Sequence, residues 1–208
     1  MSLVAKFCNH PIENPLLKYL RSTYGNTETE IVKELYHIGT SKHNGTIFWY
    51  INVYGKAQKA KVSFYDTNGK RTNKFKVPYK NEDGYYSCLF GEHLLGSKEH
   101  YSKPIILVES EKTAIVCAIR LPQYNWLAYG GINGLTDEKL KVLIGNQITI
   151  IPDMSRNAVS IMENKIDYLK SIDIDAKIWD MTNGKTDDQL KDEGWYNCDL
   201  EDFFRIFH

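Results

Sequence analysis

The sequence predicts an α/β protein with a parallel sheet flanked by helices, preceded by a smaller α+β subdomain with an antiparallel sheet. Beyond Pro104, uniformly apolar runs such as "PIILVES" and "QITIIPD" alternate with helical stretches, and such runs are typical of parallel strands buried on both faces. Between Thr46 and Val77 the segments are rich in Val, Ile, Phe and Tyr and are separated by Gly or Asn-Gly. That pattern indicates antiparallel hairpins.

Two short helices are expected before the antiparallel sheet. Apolar residues at helical spacing place the first near residues 14–24, with Gly25 where the helix would end. Thr27 is followed three residues later by Glu30, which is the spacing of a capping box. The second helix should therefore open at Thr27 and end near Gly39.

The second half of the chain is predicted to alternate strands with helices. The strands are "PIILVES", "NWLAYGG", "QITIIPD" and "DAKIWDM", and the helices are "EKTAIVCAIRL", "TDEKLKVLIG" and "RNAVSIMENKIDYLKSI". The polar segment "KEHYSKP" before the first of these strands is interpreted as a linker. We therefore expect residues 1–100 to form the α+β subdomain and residues 101–208 to form the α/β domain.

The 208 residues carry no net charge, but their charges are unevenly distributed. Residues 1–100 hold 14 Lys and Arg against 9 Asp and Glu, whereas residues 101–208 hold 12 against 17. The basic excess is concentrated in residues 55–80, where Lys and Arg are interleaved with Phe and Tyr. Cations that neutralise phosphates and aromatic faces on which bases stack favour single-strand binding. The alternative is structural, because half of the aromatic residues in an alternating sheet must face a core.

The composition also bears on localisation. No apolar run approaches the ~18 to 20 residues that a membrane helix needs, and the N-terminus lacks the apolar stretch of a secretory signal. The four cysteines are far apart, so neither a zinc ribbon nor a disulfide framework is indicated. We expect a soluble, cytoplasmic protein that makes no membrane contact.

Three features lie at predicted carboxyl ends of strands, where open parallel sheets bind ligands. Glu109 follows "IILV", Gly130 and Gly131 form a turn after "NWLAY", and Asp153 follows "ITIIP". Carboxylates from separate strands can converge on a hard cation such as Mg²⁺, which needs only one or two protein carboxylates. The alternative is that Glu109 and Asp153 only cap the helices that follow, since acids are favoured at helix N-termini.

Taken in order, "ILVESEKTAIV", "LAYGG" and "IIPDMSRNA" resemble the TOPRIM domain. That domain is shared by bacterial-type primases, type IA and type II topoisomerases, OLD-type nucleases and recombination-mediator proteins. The segments "YHIGTSKHNGTIFWYIN", "CLFGEHLL" and "CDLEDFF" look like those of primase-like TOPRIM proteins of plasmids, phages and Bacteroides-type mobile elements. The resemblance covers roughly residues 14–206. It implies a TOPRIM-like second domain and a primase-core-like first domain.

The resemblance also implies roles for individual residues. Glu109 matches the family glutamate that acts as general acid or base and helps to hold metal, and Asp153 matches the first aspartate of the Asp-x-Asp pair. Ser155 stands at the position of the second aspartate, and Ser110 and Thr113 replace the usual glycine and aspartate of the first motif. A neutral hydroxyl is a weaker ligand than a carboxylate. We therefore expect a weak Mg²⁺ or Mn²⁺ site formed by Glu109, Asp153 and Ser155.

Four further acids are candidates for the site. Glu111 or Asp180 could compensate for the missing aspartate, although the alternative for both is a surface acid. Asp199 and Asp202 match acids that related primase-like proteins place near the catalytic cleft. The alternative for Asp199 is an N-cap for "LEDFFRIF".

The residues predicted to contact nucleic acid are Lys42, His43, Lys61, Arg71, Lys74 and Lys112. Lys42 and His43 lie in "GTSKHNGT", which we interpret as a phosphate-reaching loop, with a plain polar turn as the alternative. Lys112 falls near the start of the first helix of the second domain, where backbone N–H groups favour anions. A solvated helix lysine is the alternative there.

The resemblance implies two alternative functions. The first is a Mg²⁺- or Mn²⁺-dependent, primase-like nucleotidyltransferase of DNA replication or mobile-element maintenance, which would bind single-stranded DNA and nucleotides. The second is a catalytically degenerate TOPRIM module that binds DNA or a helicase or relaxase partner. Primase-like relatives usually carry a zinc ribbon ahead of this region, and Cys8 and His10 are too few to hold zinc. The chain is therefore expected either to be one part of a larger assembly or, as a stand-alone protein, to need a partner for DNA recognition.

Overall fold

The structure of the protein is a computed structural model that describes residues 2–77 and 87–206. The chain divides into two compact units, Met1–Gly96 and Ser97–His208. Tyr79 and Lys80, which belong to the basic stretch of the sequence, lie outside the described residues.

The first unit combines helices with an antiparallel sheet. Its helices are α1 (Leu3–Cys8), α2 (Pro15–Tyr24) and α3 (Asn26–Leu35), its strands are β1 (Gly39–Thr40), β2 (Thr46–Ile51), β3 (Ala57–Tyr65) and β4 (Arg71–Lys76), and a 3-10 helix spans Glu92–Gly96. The strands pair in the order β1-β2-β3-β4, each antiparallel to its neighbour. One face of the sheet buries Trp49 and Val62 against Phe7 of α1. The α+β subdomain with an antiparallel sheet is therefore as predicted.

Asn14 joins α2 to the hairpin formed by β1 and β2. As the N-cap of α2, its Oδ1 accepts hydrogen bonds from the backbone N–H of Leu17 at 3.1 Å and from Thr46 Oγ1 at 2.8 Å. Its Nδ2 donates to Gly39 O at 3.1 Å and to Thr40 Oγ1 at 3.0 Å. Asn14 is fully buried, so its amide satisfies polar groups of three elements that water does not reach.

The second helix differs from its prediction at both ends. α3 begins at Asn26 after an N-cap Gly25 with φ of 106°, so Thr27 lies inside the helix and the predicted capping box is wrong. Glu30 instead pairs with Arg21 of α2. The helix ends at Leu35, before Gly39, because His37 adopts a left-handed φ of 53°.

The second unit contains a parallel sheet with helices between its strands. The strands are β5 (Ile105–Val108), β6 (Asn125–Ala128), β7 (Gln147–Ile151) and β8 (Asp175–Ile178). The helices are α4 (Glu111–Arg120), α5 (Asp137–Leu140), α6 (Arg156–Glu163), α7 (Ile166–Ser171), α8 (Asp187–Asp192) and α9 (Leu200–Ile206). The helix predicted from "RNAVSIMENKIDYLKSI" is divided into α6 and α7 around residues 164 and 165.

The strands of the second unit pair in the order β6-β5-β7-β8, and every pair is parallel. β5 and β6 are buried throughout, with Leu107 and Leu127 fully inaccessible. The predicted fold class is confirmed: a parallel sheet flanked by helices follows a smaller unit with an antiparallel sheet. Within the described part of the chain, the helices are too short or too polar to cross a membrane.

Candidate functional site

The ends of β5, β6 and β7 form one edge of the second unit's sheet. Val108, the last residue of β5, is paired with Ala128 of β6 and with Ile151 of β7. Glu109 and Asp153 therefore leave the sheet at the same edge from neighbouring strands, as predicted for carboxyl ends of parallel strands. In this register Tyr129, the residue that follows β6, lies beside Glu109, the residue that follows β5.

Tyr129 is a buried residue at the end of β6, next to the strand that precedes Glu109. Its side chain is fully buried, and no hydrogen-bond partner for its hydroxyl is found among residues 2–77 and 87–206. Burial raises the pKa of Tyr129 far above its ordinary value, and the negative charges of Glu109 and Asp153 raise it further. The negative charges of Glu109 and Asp153 are thus both felt at this buried hydroxyl.

The turn after β6 is held by backbone bonds to β5. The N–H groups of Gly130 and Gly131 donate to Glu109 O at 2.9 and 3.3 Å. Both glycines have positive φ, 84° and 113°, a conformation that other residues adopt only with strain. The predicted Gly-Gly turn therefore fixes the backbone of Glu109.

Lys139 of α5 contacts the backbone on the other side of this turn. Its side chain is 6% exposed, and Nζ donates to Tyr129 O at 2.5 Å and to Gly134 O at 2.8 Å. A Cβ at Gly134 would overlap the carbonyl of Tyr129. The loop between β6 and α5 is thus packed around a buried ammonium group that the sequence analysis did not single out.

The segment after Asp153 is anchored by neighbouring loops. Met154 donates its N–H to Cys198 O at 2.8 Å and accepts from Asn197 N–H at 2.9 Å. Ser155 is the N-cap of α6, and its Oγ accepts from Ala158 N–H at 3.1 Å. One lone pair of the Ser155 hydroxyl is therefore used for capping, and its predicted role as a metal ligand stays a prediction.

Ser110 and Thr113, the two residues that differ from the first motif of the resembled family, have structural partners here. Ser110 is the N-cap of α4, with its Oγ 3.1 Å from Thr113 N. The Thr113 hydroxyl donates to Asp199 at the start of α9. The substitutions at these two positions thus provide a cap for α4 and a link between α4 and α9.

Lys112 makes a second link between the same helices. Its Nζ lies 2.8 Å from Oε2 of Glu201, which is 1% exposed, and Arg205 Nε donates to Oε1 of the same carboxylate at 2.5 Å. The predicted contact between Lys112 and nucleic acid would have to compete with this buried ion pair.

Asp199, Glu201 and Asp202 form an acidic cluster whose carboxylate oxygens lie within 4.8 Å of one another. Asp199 Oδ1 accepts from the N–H groups of Glu201 at 2.8 Å and Asp202 at 3.1 Å, and Asp202 Oδ2 accepts from Asp199 N–H at 3.1 Å. The N-cap interpretation of Asp199 is confirmed. Burial raises the pKa of Asp199, and the charge of Asp202 raises it further.

The other two acids considered as compensating ligands are placed differently. Glu111 is buried at the start of α4, so its interpretation as a surface acid is wrong. Asp180 accepts from Arg156 Nη1 at 3.1 Å and from Thr182 N–H at 2.7 Å.

The first unit divides its basic residues between two faces of the sheet. Lys61 is paired with Phe48, and Ser63 is paired with Phe75; directly paired residues project from the same face. By the two-residue period of a strand, Arg71 shares the face of Phe75, whereas Lys74 projects from the opposite one. Lys61 and Arg71 therefore share one face of the sheet and Lys74 lies on the other, and their contact with nucleic acid stays a prediction.

The loop containing Lys42 and His43 is a tight turn between β1 and β2. Gly45 N–H donates to Ser41 Oγ at 2.9 Å, and Asn44 has a left-handed φ of 60°. The side chains of Lys42 and His43 are exposed at its tip. Because Thr46 of β2 is paired with Ser63, this turn lies at the same end of the sheet as Phe75.

The comparisons with known proteins place this chain in a family and a fold. Residues 14–154 match the family described as "Domain of unknown function (DUF6371)", and the chain belongs to that family. No curated protein matches the sequence.

Solved primase structures share the fold. The DnaG primase catalytic domain bound to ssDNA superposes with a TM-score of 0.63 at 13% identity, covering 92% of this chain and 73% of that one. The RNA polymerase domain of Mycobacterium tuberculosis primase DnaG superposes with a TM-score of 0.58 at 9% identity. The match covers 90% of this chain and 75% of that one. The Aquifex aeolicus primase, with its zinc-binding and RNA polymerase domains, superposes with a TM-score of 0.51 at 13% identity. The match covers 92% of this chain but only 59% of the length of that structure. The fold is thus that of DNA primase catalytic cores.

Proposed function

We propose that this protein is a primase-like protein of DNA replication or mobile-element maintenance. It would bind single-stranded DNA and nucleotides and use a divalent metal ion for nucleotidyl or phosphoryl transfer. The observation that carries the proposal is the parallel pairing of β5 with β7, in which Val108 faces Ile151, because it puts Glu109 and Asp153 just beyond the ends of two adjacent strands. The likeness of the fold to DnaG catalytic cores supports the same conclusion.

The residues at this edge fit a hard divalent cation. Glu109 and Asp153 offer carboxylate oxygens from adjacent strands, and the Ser155 hydroxyl offers a third, neutral oxygen. Mg²⁺ or Mn²⁺ bound there would neutralise phosphate charge and activate the attacking hydroxyl. Because only two of the three ligands are charged, we propose a weak site in which water completes the coordination.

The first unit would bind the single strand. Lys61 and Arg71 share a sheet face with Phe75, which is 65% exposed, and Lys42 and His43 lie at the same end of the sheet as Phe75. Arg71 is exposed and Lys61 is half-buried; such cations can neutralise phosphates, and the exposed ring can stack on a base. Arg71→Ala should weaken DNA binding and reduce its salt dependence by about one phosphate contact. Lys177→Ala on β8, a cation of the other unit, is the matched control.

Primer synthesis on single-stranded DNA with Mg²⁺ and with Mn²⁺ tests the enzyme. Glu109→Gln and Asp153→Asn should each abolish synthesis while leaving the circular dichroism spectrum unchanged. Glu138→Gln, which removes an exposed acid from α5, should leave synthesis unchanged. Synthesis at the normal rate in both site variants would refute the proposal.

Ser155 supports a second candidate function. With a hydroxyl in place of a carboxylate, the chain could serve as a catalytically degenerate module that binds DNA or a helicase or relaxase partner. Calorimetry with Mn²⁺ separates the two candidates. Submillimolar binding that is lost in Asp153→Asn favours the enzyme, whereas DNA binding that depends on salt but not on metal favours the module.

A further inference from the structure

An aromatic pocket of about 330 Å³ opens in the second unit. Its lining includes Met154, Met181, Trp179, Trp195, Phe203 and Thr182. Met154 directly follows Asp153 in the chain, so one segment contributes both to the pocket and to the proposed metal site. Its volume lies within the range of about 300 to 1,000 Å³ that is common for small-molecule sites.

The walls of the pocket suit a flat aromatic ligand. Trp179 is 51% exposed and Phe203 is 41% exposed, so two large rings remain open to solvent at the pocket. The rings of Trp195 and Phe203 lie 6.1 Å apart between centroids and are tilted by 39°. Aromatic rings and the polarizable thioethers of methionine both pack favourably against π systems.

Thr182 supplies a polar group that points to a ligand. It lines the pocket and is fully buried, yet its Oγ1 has no hydrogen-bond partner in the part of the chain that the structure describes. Its backbone groups are used elsewhere, with N–H donating to Asp180 Oδ1 and O accepting from Lys185 N–H. A buried hydroxyl without a partner is unfavourable, so a ligand with a polar edge would satisfy it.

We propose that this pocket binds the base of a nucleotide. The flat ring would pack against Trp179 and Phe203, and a nitrogen or oxygen at the edge of the base would hydrogen-bond to Thr182 Oγ1. Asn183 and Lys185, the other polar residues of the lining, would contact polar atoms of the base or sugar. The inference rests on the proposed function for the choice of a nucleotide, and it adds the residues that would recognise the base.

Nucleosides test the pocket separately from the metal site, because they carry no phosphate. Adenosine and guanosine are titrated into the full chain without metal, and binding is followed by calorimetry and by tryptophan fluorescence. Trp179→Ala should weaken nucleoside binding by about tenfold. Tyr101→Ala, which removes an aromatic ring that is 86% exposed outside the pocket, should leave binding unchanged.

Thr182→Val is the sharper variant, since it replaces the unpartnered hydroxyl with a methyl group of similar size. We expect nucleoside binding about fivefold weaker with no loss of thermal stability. Absence of nucleoside binding at millimolar concentration, or unchanged affinity in both Trp179→Ala and Thr182→Val, would overturn the inference. Displacement of the nucleoside by an amphipathic peptide, with the peptide binding more tightly and showing the same variant effects, would also overturn it.

The two proposals fail in different ways. Nucleoside binding that depends on Trp179 and Thr182, together with no primer synthesis, would refute the proposed enzyme and support the pocket. Primer synthesis that depends on Glu109, together with no nucleoside binding, would refute the pocket and support the enzyme.

Discussion

Lys112 Nζ lies 2.8 Å from Oε2 of Glu201, although the two residues are 89 positions apart. The neighbouring residue Thr113 donates its hydroxyl to Asp199. Two consecutive residues at the start of α4 thus hold the start of α9. Since α4 begins two residues after Glu109, α9 supports the helix that follows the first proposed metal ligand.

Breaking the Lys112–Glu201 pair should destabilise the protein. Lys112→Met removes one of the cations that contact the buried carboxylate of Glu201 and keeps its pair with Arg205, and we expect a loss of about 2 to 4 kcal/mol in the free energy of unfolding. Urea unfolding followed by circular dichroism measures it. Lys141→Met is the control, because its pair with Glu138 is exposed and 3.8 Å long, and it should change stability by less than about 0.5 kcal/mol. Equal effects of the two variants would contradict the prediction.

Removal of the Tyr129 hydroxyl should stabilise the protein when metal is absent. The hydroxyl is buried without a partner in the described residues, so Tyr129→Phe removes an unsatisfied polar group and should raise the free energy of unfolding by about 1 kcal/mol. Tyr101→Phe, at an exposed position, should have no effect. A clear loss of stability in Tyr129→Phe would mean that the hydroxyl has a partner in solution.

Asp199 should make stability decrease as the pH rises. Burial and the nearby Asp202 raise the pKa of Asp199 in the folded protein, so folding favours the protonated carboxyl. The stabilisation from protonated Asp199 is fully present below the pKa that this residue has in the unfolded chain. It is lost as the pH rises through its pKa in the folded protein. Asp199→Asn keeps an oxygen that can accept the capping hydrogen bonds and cannot ionise. As the pH rises between the two pKa values of Asp199, the melting temperature of Asp199→Asn should therefore fall less than that of the wild type. Parallel curves of melting temperature against pH would show that Asp199 does not cause the loss of stability.

Cys198 can report on a cation bound near Asp153. Burial raises the pKa of its thiol to about 11, and the charges of Asp202, Asp199 and Asp153 contribute to the rise. A cation beside Asp153 would offset part of that effect, so Mg²⁺ should increase the alkylation rate of Cys198 by about twofold or more. Cys8 is the internal control, since burial raises its pKa to about 11 in the other unit.

Peptide-resolved mass spectrometry after iodoacetamide treatment measures both rates. Asp153→Asn should remove the effect of Mg²⁺ on Cys198. An equal increase at Cys8, or no increase at Cys198, would count against a cation at this edge of the sheet.

The strand ends could be predicted from the sequence because local patterns determine them. The apolar runs that end at Glu109 and Asp153 indicate parallel strands. The fold class follows from them, and so does the position of both residues at the carboxyl ends of the strands. The partners of Lys112 and Thr113 could not be predicted, since they come from residues more than 80 positions away. Glu201 carried one local signal, the four-residue spacing to Arg205, which is common on exposed helices and does not indicate burial.

The capping box at Thr27 was wrong for a related reason. Its spacing is correct, but Gly25 has the backbone angles of the N-cap, two residues before Thr27, and Glu30 pairs with Arg21 of the preceding helix. The helix thus starts at a glycine N-cap, and the Glu30 side chain that the local motif needs is paired with another helix.

The contact of Lys139 with Tyr129 and Gly134 means that the loop after β6 is already ordered in the free protein. A loop that must become ordered upon binding loses conformational entropy, and affinity falls accordingly. Here the buried ammonium group, Gly130 and Gly131 hold the backbone before any ligand arrives. The amide protons of Tyr129 and Gly130 should therefore exchange slowly with solvent, and ligand binding should slow them little further.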